Sequence, residues 1–175
     1  IKTTPILSYP QIETQYDSEK IGKIAPFVTE KVAYSRINPR TYVTTSNMLQ
    51  NRAGIVAYED TPEIDNVTRY KKGDILISNI RPYLKKIWLA DHNGGCSNDV
   101  LVFRNTKPSE YSTDYLYTIL SSDIFFDYMM VGKTGLKMPR GDKKIIPNFL
   151  IPKAPYDTIQ KKIVNECGAQ DKIYK

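Results

Sequence analysis

Two short apolar runs, Ile75-Leu76-Ile77-Ser78 and Val100-Leu101-Val102-Phe103, are unbroken and bounded by turn residues, which predicts strands buried on both faces. Between them KKIWLA (85–90) predicts another strand, reached through a connection that holds Pro82. Lys71-Lys72-Gly73-Asp74 forms a basic turn ahead of the first run, and HNGGCSND (92–99) predicts a turn ahead of the second. Upstream, IGKIAPFVTEKV (21–32) predicts a short helix or turn running into a strand, and NPR (38–40) a turn. TYVTTS (41–46) is rich in Thr, Tyr and Val and predicts a strand, as does GIVAY (54–58), with Asn51, Arg52 and Gly54 turning the chain before it.

In the second half the spacing becomes helical. Tyr115, Leu116, Ile119 and Leu120 recur at three to four residues, with Ser112 or Thr113 as cap. Ser121, Ser122 and Asp123 then break and recap the chain before IFFDYMM (124–130), whose Phe125, Phe126, Met129 and Met130 read as core. KKIIPNFLIPK (143–153) predicts a strand ended by Pro152 and Pro155. Asp157 or Thr158 caps a final helix whose stripe, Ile159, Ile163, Cys167, Gln170 and Tyr174, meets no stop signal, so a longer helix is expected. Residues 1–20, with Pro5 and Pro10 bracketing ILSY, read as an extended lead-in of loop or edge strand, with order beginning at Ile21.

Composition narrows the partners. The 175 residues suit one domain with room for an appendage. Lys and Arg number 25 against 19 Asp and Glu, a net charge of +6, which favours an acidic partner, of which nucleic acid is the commonest. The apolar runs are too short to span a membrane, and no signal peptide is recognisable. The first residue is Ile rather than Met, so the chain reads as a piece of something longer. Cys96 and Cys167 read as two free cytosolic thiols.

Charge is concentrated in two places. Residues 133–144, KTGLKMPRGDKK, hold Lys133, Lys137, Arg140, Lys143 and Lys144 against Asp142, a local charge of +4. Gly132, Gly135, Gly141 and Pro139 make this stretch resist both helix and ladder, so it is either a solvated basic loop or a loop that meets a polyanion. The connection 79–86 gathers Asn79, Arg81, Tyr83, Lys85 and Lys86, a mixture suited to gripping phosphates and approaching base edges. Its plainer alternative is a Pro turn with lysines protecting an exposed strand edge. Arg36, Arg40 and Arg52 are available to a polyanion but are equally ordinary surface residues.

Catalytic patterns are missing. His92, the one histidine, reads as a solvated turn residue, and with two isolated cysteines it makes no recognisable zinc site. Gly132-Lys133-Thr134 copies the end of a phosphate loop, yet the first glycine would fall at Asp127. No nucleotide fingerprint, nucleophile elbow or amino-methyltransferase motif occurs, so neither catalysis nor a cofactor is expected.

A series of segments carries a resemblance. KKGDILISNIRPYLKKIWLA, CSNDVLVFR, DYLYTILSS, VGKTGLKMPRGDKKI, a Pro-bounded strand and QKKIV follow one another, preceded by IGKIAPF and TYVTTSNMLQNRAGI. Together, over 21–164, they resemble the target-recognition domain of the type I restriction-modification specificity subunit. No single segment is specific; the ordered series is. The resemblance implies an α+β fold: a twisted, mainly antiparallel sheet or half-barrel with packed helices in 21–155, then the start of a long spacer helix in 156–175. It implies non-catalytic, sequence-specific recognition of double-stranded DNA in the cytoplasm, directing methyltransferase and endonuclease subunits. It also implies a second recognition domain or dimer partner met through the C-terminal helix. The parent would be a two-domain subunit, a half-subunit that dimerises, or a fused methyltransferase.

On this view Lys85, Lys86, Lys133, Lys137, Lys143 and Lys144 neutralise phosphates, with Arg52 in the same contact set. Arg81, Arg140, Asn79 and Asn47 are the expected readers of base edges, and Tyr83 packs on a sugar or a thymine methyl. An RNA-binding module and a protein-interaction domain with a basic face remain as alternatives, although no aromatic strand of the RNA-binding type is visible.

Overall fold

The computed structural model describes residues 7–173. In chain order its elements are β1 (Ser18–Lys20), α1 (Ile21–Ile24), β2 (Lys31–Ala33), β3 (Asn66–Tyr70), β4 (Ile75–Ser78), β5 (Ile87–Leu89), β6 (Gly94–Cys96), β7 (Val100–Phe103), α2 (Thr113–Leu120), α3 (Asp123–Met130), β8 (Leu150–Pro152) and α4 (Lys161–Ile173). The strands form three antiparallel sheets, ordered β5-β4-β7, β2-β3-β6 and β1-β8. Among the described residues no closed barrel forms, and the fold is the expected α+β arrangement of open sheets and packed helices.

Sheet β5-β4-β7 lies between two cores, which explains its unbroken apolar runs. Successive side chains of a strand point to opposite faces. Ile75, Ile77, Ile87, Leu101 and Phe103 therefore pack with α1, α2, α3, Phe149 and Ile151 on one side. Leu76, Trp88, Val100 and Val102 pack with Val43, Met48, Tyr70 and Cys96 on the other. The register keeps these sets together, with Leu76 opposite Trp88 on β5 and Val102 on β7. A polar residue at any of these positions would face a core whichever way it pointed.

The helices begin where the serines predict. Ser112 accepts the Tyr115 N–H at 3.0 Å and Ser122 accepts that of Phe125 at 3.4 Å. Helix α4 differs, because the chain enters it through a π turn, Tyr156–Gln160, behind Pro155, and neither Asp157 nor Thr158 caps it. Ile159 and Ile163 of the expected stripe pack on the core and Cys167 is exposed. The Gln170 side chain and Tyr174 lie outside the described residues, as does the continuation of the stripe.

Several expected elements change. TYVTTS is not a strand: Pro39–Thr41 is a 3-10 turn and only Val43 makes a bridge, to Cys96. GIVAY contributes a single bridge, Ile55 to Met48. The reason is Asn47, whose side chain takes the backbone groups a ladder would use, donating to the Tyr42 and Val56 carbonyls at 3.0 and 2.9 Å and accepting the Thr44 N–H at 2.7 Å. Gly94-Gly95 belongs to strand β6 rather than to a turn. A Cβ at Gly94 would stand 2.5 Å from the Tyr70 hydroxyl, and one at Gly95 would stand 2.5 Å from Val67 Cγ2, so only glycine lets these strands approach. Their partner β3 was not expected at all, and the 143–153 strand shrinks to β8 behind a 3-10 turn at Ile146–Asn148.

Order also begins before Ile21. β1 pairs with β8, while Tyr9, Ile12 and Tyr16 pack on the core. Glu19 on β1 accepts hydrogen bonds from Lys107 and, at 3.0 Å, from the Tyr111 hydroxyl. The Lys107 bond, joined by that of Tyr111, holds the Glu19 carboxyl below its usual range. A depressed carboxylate stabilises the fold above its unfolded pKa and loses that contribution as pH falls through the folded value. The stability of Glu19→Gln is therefore expected to fall less steeply than that of the parent chain from about pH 5 downward. Urea midpoints at pH 6 and pH 3.5 measure the difference; parallel losses would remove Glu19 from the acid response.

Candidate nucleic-acid interface

The two basic segments, about 55 residues apart in sequence, are joined through their backbones. Ile80 and Arg140 form an antiparallel bridge. Beside it Arg81 N–H donates to the Pro139 carbonyl at 2.8 Å, and Gly141 N–H donates to the Asn79 carbonyl at 3.3 Å. The Asn79 side chain closes the joint by donating to the Gly141 carbonyl at 3.2 Å. A Cβ on Gly141 would stand 2.6 Å from Asn79 Oδ1 and 2.9 Å from Ile146 Cδ1, so the approach requires glycine.

A third loop completes the surface. Asn79 N–H donates to the Asp99 carbonyl at 2.8 Å, Arg140 lies 3.4 Å from the Asp99 carboxylate, and Lys143 reaches the Asn98 carbonyl at 3.4 Å. Lys31, from strand β2, donates to the Asn98 side chain and to Thr68. Between these lysines runs a groove of about 390 Å³ whose lining includes Phe27 and Val100. Lys31 and the 97–99 turn were not expected in the site; the Asn98-Asp99 pair, a turn signal between two strands, was the available clue.

Within the 79–86 connection Arg81 and Lys85 both adopt left-handed backbone, with φ of 51° and 55°. They bracket a 3-10 turn, Pro82–Leu84, which buries Pro82 and leaves Tyr83 48% exposed. Lys137, Arg140, Lys143 and Lys144 are exposed and Lys133 is half-buried. These residues, with Tyr83, form the outward surface.

The remaining expected contacts are engaged by partners within the protein. Asn47 staples its own loop and is 5% exposed. Asn79 is also buried and serves the joint. Arg52 donates to the Ser121 carbonyl, pairs with Asp123 at 2.6 Å and lies over the Phe126 ring. Lys85 meets the same carboxylate at 2.7 Å, and the bonds from Lys85 and Arg52 hold Asp123 below its usual range. Lys86 donates to the Thr45 carbonyl at 2.6 Å, and burial, followed by the nearby Arg81, lowers its pKa. These five groups make hydrogen bonds or ion pairs that hold loops in place. For Arg52, Asn79, Lys85 and Lys86 these roles were illegible because the partners lie 38 to 71 residues away, whereas Asn47 bonds within its own loop.

Elsewhere Arg36 and Arg69 line a second groove, of about 410 Å³, at the Gly94 end of strand β6. His92 packs on Trp88 and lies 3.3 Å from the Tyr70 hydroxyl. Burial pushes the Cys96 thiol up to about 12, away from reactivity. Among the described residues no three His, Cys, Asp or Glu side chains gather as metal ligands. No helix among them is long and apolar enough to cross a membrane.

The fold and its surface define an α+β module whose joined loops present a cationic face. Known proteins place it more narrowly. No family model matches the chain. Over 150 residues it is 24% identical to the type I restriction enzyme EcoDI specificity subunit of Escherichia coli, covering 83% of this chain and 33% of that protein. The HsdS subunit from Thermoanaerobacter tengcongensis superposes with a TM-score of 0.70 at 24% identity, over 89% of this chain and 42% of that one. A chain from a structure on complex assembly and conformational transition of the type I R-M system gives 0.71 at 20% identity, over 98% and 45%. The chain thus has the fold of a target-recognition domain of type I specificity subunits, and it spans a third of the length of the curated relative.

Proposed function

We propose that this chain recognises a short sequence in double-stranded DNA for a type I restriction-modification system. The observation that carries this reading is the backbone joint between Ile80 and Arg140, which sets Arg81 and exposed Tyr83 beside the exposed cations of the 133–144 loop. The fold shared with specificity subunits supports it. Lys137, Lys143 and Lys144 neutralise phosphates, and Arg140 has the planar fork that a guanine edge accepts in two bonds. Arg81 reads a second position. Its buried Nε and the buried Asn79 Oδ1 have no hydrogen-bond partner among the described residues, and its backbone is left-handed. Such stored cost collects at ligand sites. Methyl transfer and cleavage belong to methyltransferase and endonuclease subunits, or to a fused methyltransferase domain. Residues 156–175 begin the spacer toward a second recognition domain or dimer partner, and the complex works in the cytoplasm.

Selection of bound duplexes from a random pool at near-physiological salt tests the proposal. The parent chain is expected to enrich a short motif, which the Arg81→Ala/Arg140→Ala variant relaxes by about 1–3 kcal/mol for each lost guanine contact. Lys137→Ala/Lys144→Ala should keep the motif and lower the salt slope by about 2. A motif unchanged in the arginine variant would move the readers elsewhere. No motif at all would overturn DNA recognition.

A further inference from the structure

The tip of the 133–144 loop exposes apolar side chains that neither the fold nor phosphate binding uses. Leu136 is 59% exposed and Met138 is 55% exposed, in a segment where 134–138 all face solvent. A Cβ built on Gly135 would meet nothing within 4 Å, so the tip stands clear of the body. Its base, in contrast, is held on both sides. Lys133 N–H donates to the Met130 carbonyl at 3.0 Å, and Pro139 is buried with its carbonyl bonded to Arg81. Tyr128 reaches the Ile145 carbonyl at 3.0 Å beyond. A firmly rooted loop thus carries two bare hydrophobic groups into water, one on each side of Lys137.

Resting on the DNA reading above, we propose that Leu136 and Met138 form an apolar wedge that enters a base step of the bound duplex, partly unstacks it and bends the DNA. Charge complementarity selects this occupant: Lys137 separates the two apolar residues and Lys133 and Arg140 flank them, so the tip approaches a polyanion with its lysines on the phosphates and Arg140 at a base edge. Neither wedge residue can hydrogen-bond a base edge. What they gain is removal of apolar surface from water against the faces of opened bases. Exposed Tyr83, on the turn bonded to the loop's base, adds an aromatic surface beside it. Opening a step is easiest at pyrimidine–purine steps, so the wedge confers a preference for TA or CA/TG without a polar contact to them.

The test uses duplexes enriched by the selection above, labelled at both ends for energy transfer and carrying 2-aminopurine at each candidate step in turn. The parent chain is expected to bring the ends closer and to brighten one 2-aminopurine. Leu136→Ala/Met138→Ala should lose both signals and about tenfold in affinity, at an unchanged salt slope. Lys137→Ala should keep the bend and lower the slope by about 1. A motif bound on straight, stacked DNA would overturn the wedge alone, as would a double variant that still bends it. Failure to enrich any motif would overturn the DNA reading, and the wedge with it.

Discussion

Gln160→Ala is expected to lower the unfolding free energy by about 3 kcal/mol, because a single buried side chain satisfies three backbone groups. Gln160 is fully buried, and its Nε2 donates to the Glu110 carbonyl at 2.8 Å and to the Ala154 carbonyl at 3.0 Å. Its Oε1 accepts the Ser112 N–H at 2.9 Å, at the residue that caps α2. Truncation orphans all three groups and leaves space behind. Since Gln160 is also the last residue of the π turn, the damage should start at α4: its amides are expected to exchange before those of β4 and β7. Urea unfolding gives the magnitude and hydrogen exchange the location. A loss below about 1 kcal/mol would mean that water takes over the three bonds.

Asp74→Ala is expected to cost about 3 kcal/mol, and Asp74→Asn somewhat less. The Asp74 carboxylate is 3% exposed and accepts a fork from Arg104, Nε at 2.9 Å and Nη2 at 2.8 Å. It also accepts the Lys71 N–H at 2.8 Å, closing the turn before β4. Removing one member of a buried pair costs about 3–5 kcal/mol because the other charge loses its compensation. Arg104 is one-third exposed, so water recovers part of that and the lower end applies. Asn keeps the turn and one bond but not the charge. Denaturant midpoints of the two variants, with Arg104→Ala and the double variant completing a cycle, separate the pair from the turn. Equal losses in Asp74→Ala and Asp74→Asn would assign the effect to charge alone.

Legibility followed the range of the interactions involved. β4 and β7 were readable because burial on both faces leaves an unbroken apolar run, a local signature that survives without knowledge of the neighbours. Helices α2 and α3 were readable because Ser112 and Ser122 cap within three residues of themselves. β6 was not, since Gly94-Gly95 signals a turn until Tyr70 and Val67 are seen pressing against it. TYVTTS failed for a related reason: strand-favouring composition yielded to one asparagine that holds the backbone groups of a loop.

The site divides the same way. The basic character of 79–86 and 133–144 is written in residue types, and so is the interruption of helix and ladder at their Gly and Pro positions. Which cations reach solvent is not. Lys85 and Arg52 both end on Asp123, 38 and 71 residues away, while Lys137 and Lys144 remain outward. By itself the sequence determined that β4 and β7 are buried, where α2 and α3 start and where positive charge accumulates, because each depends on neighbours within a few residues. Only the tertiary structure decided that Ile80 and Arg140 meet, which polar groups are used up internally and that Leu136 and Met138 stand bare. Those outcomes depend on partners brought together by the packing of two cores on one sheet, and no local pattern encodes such distances.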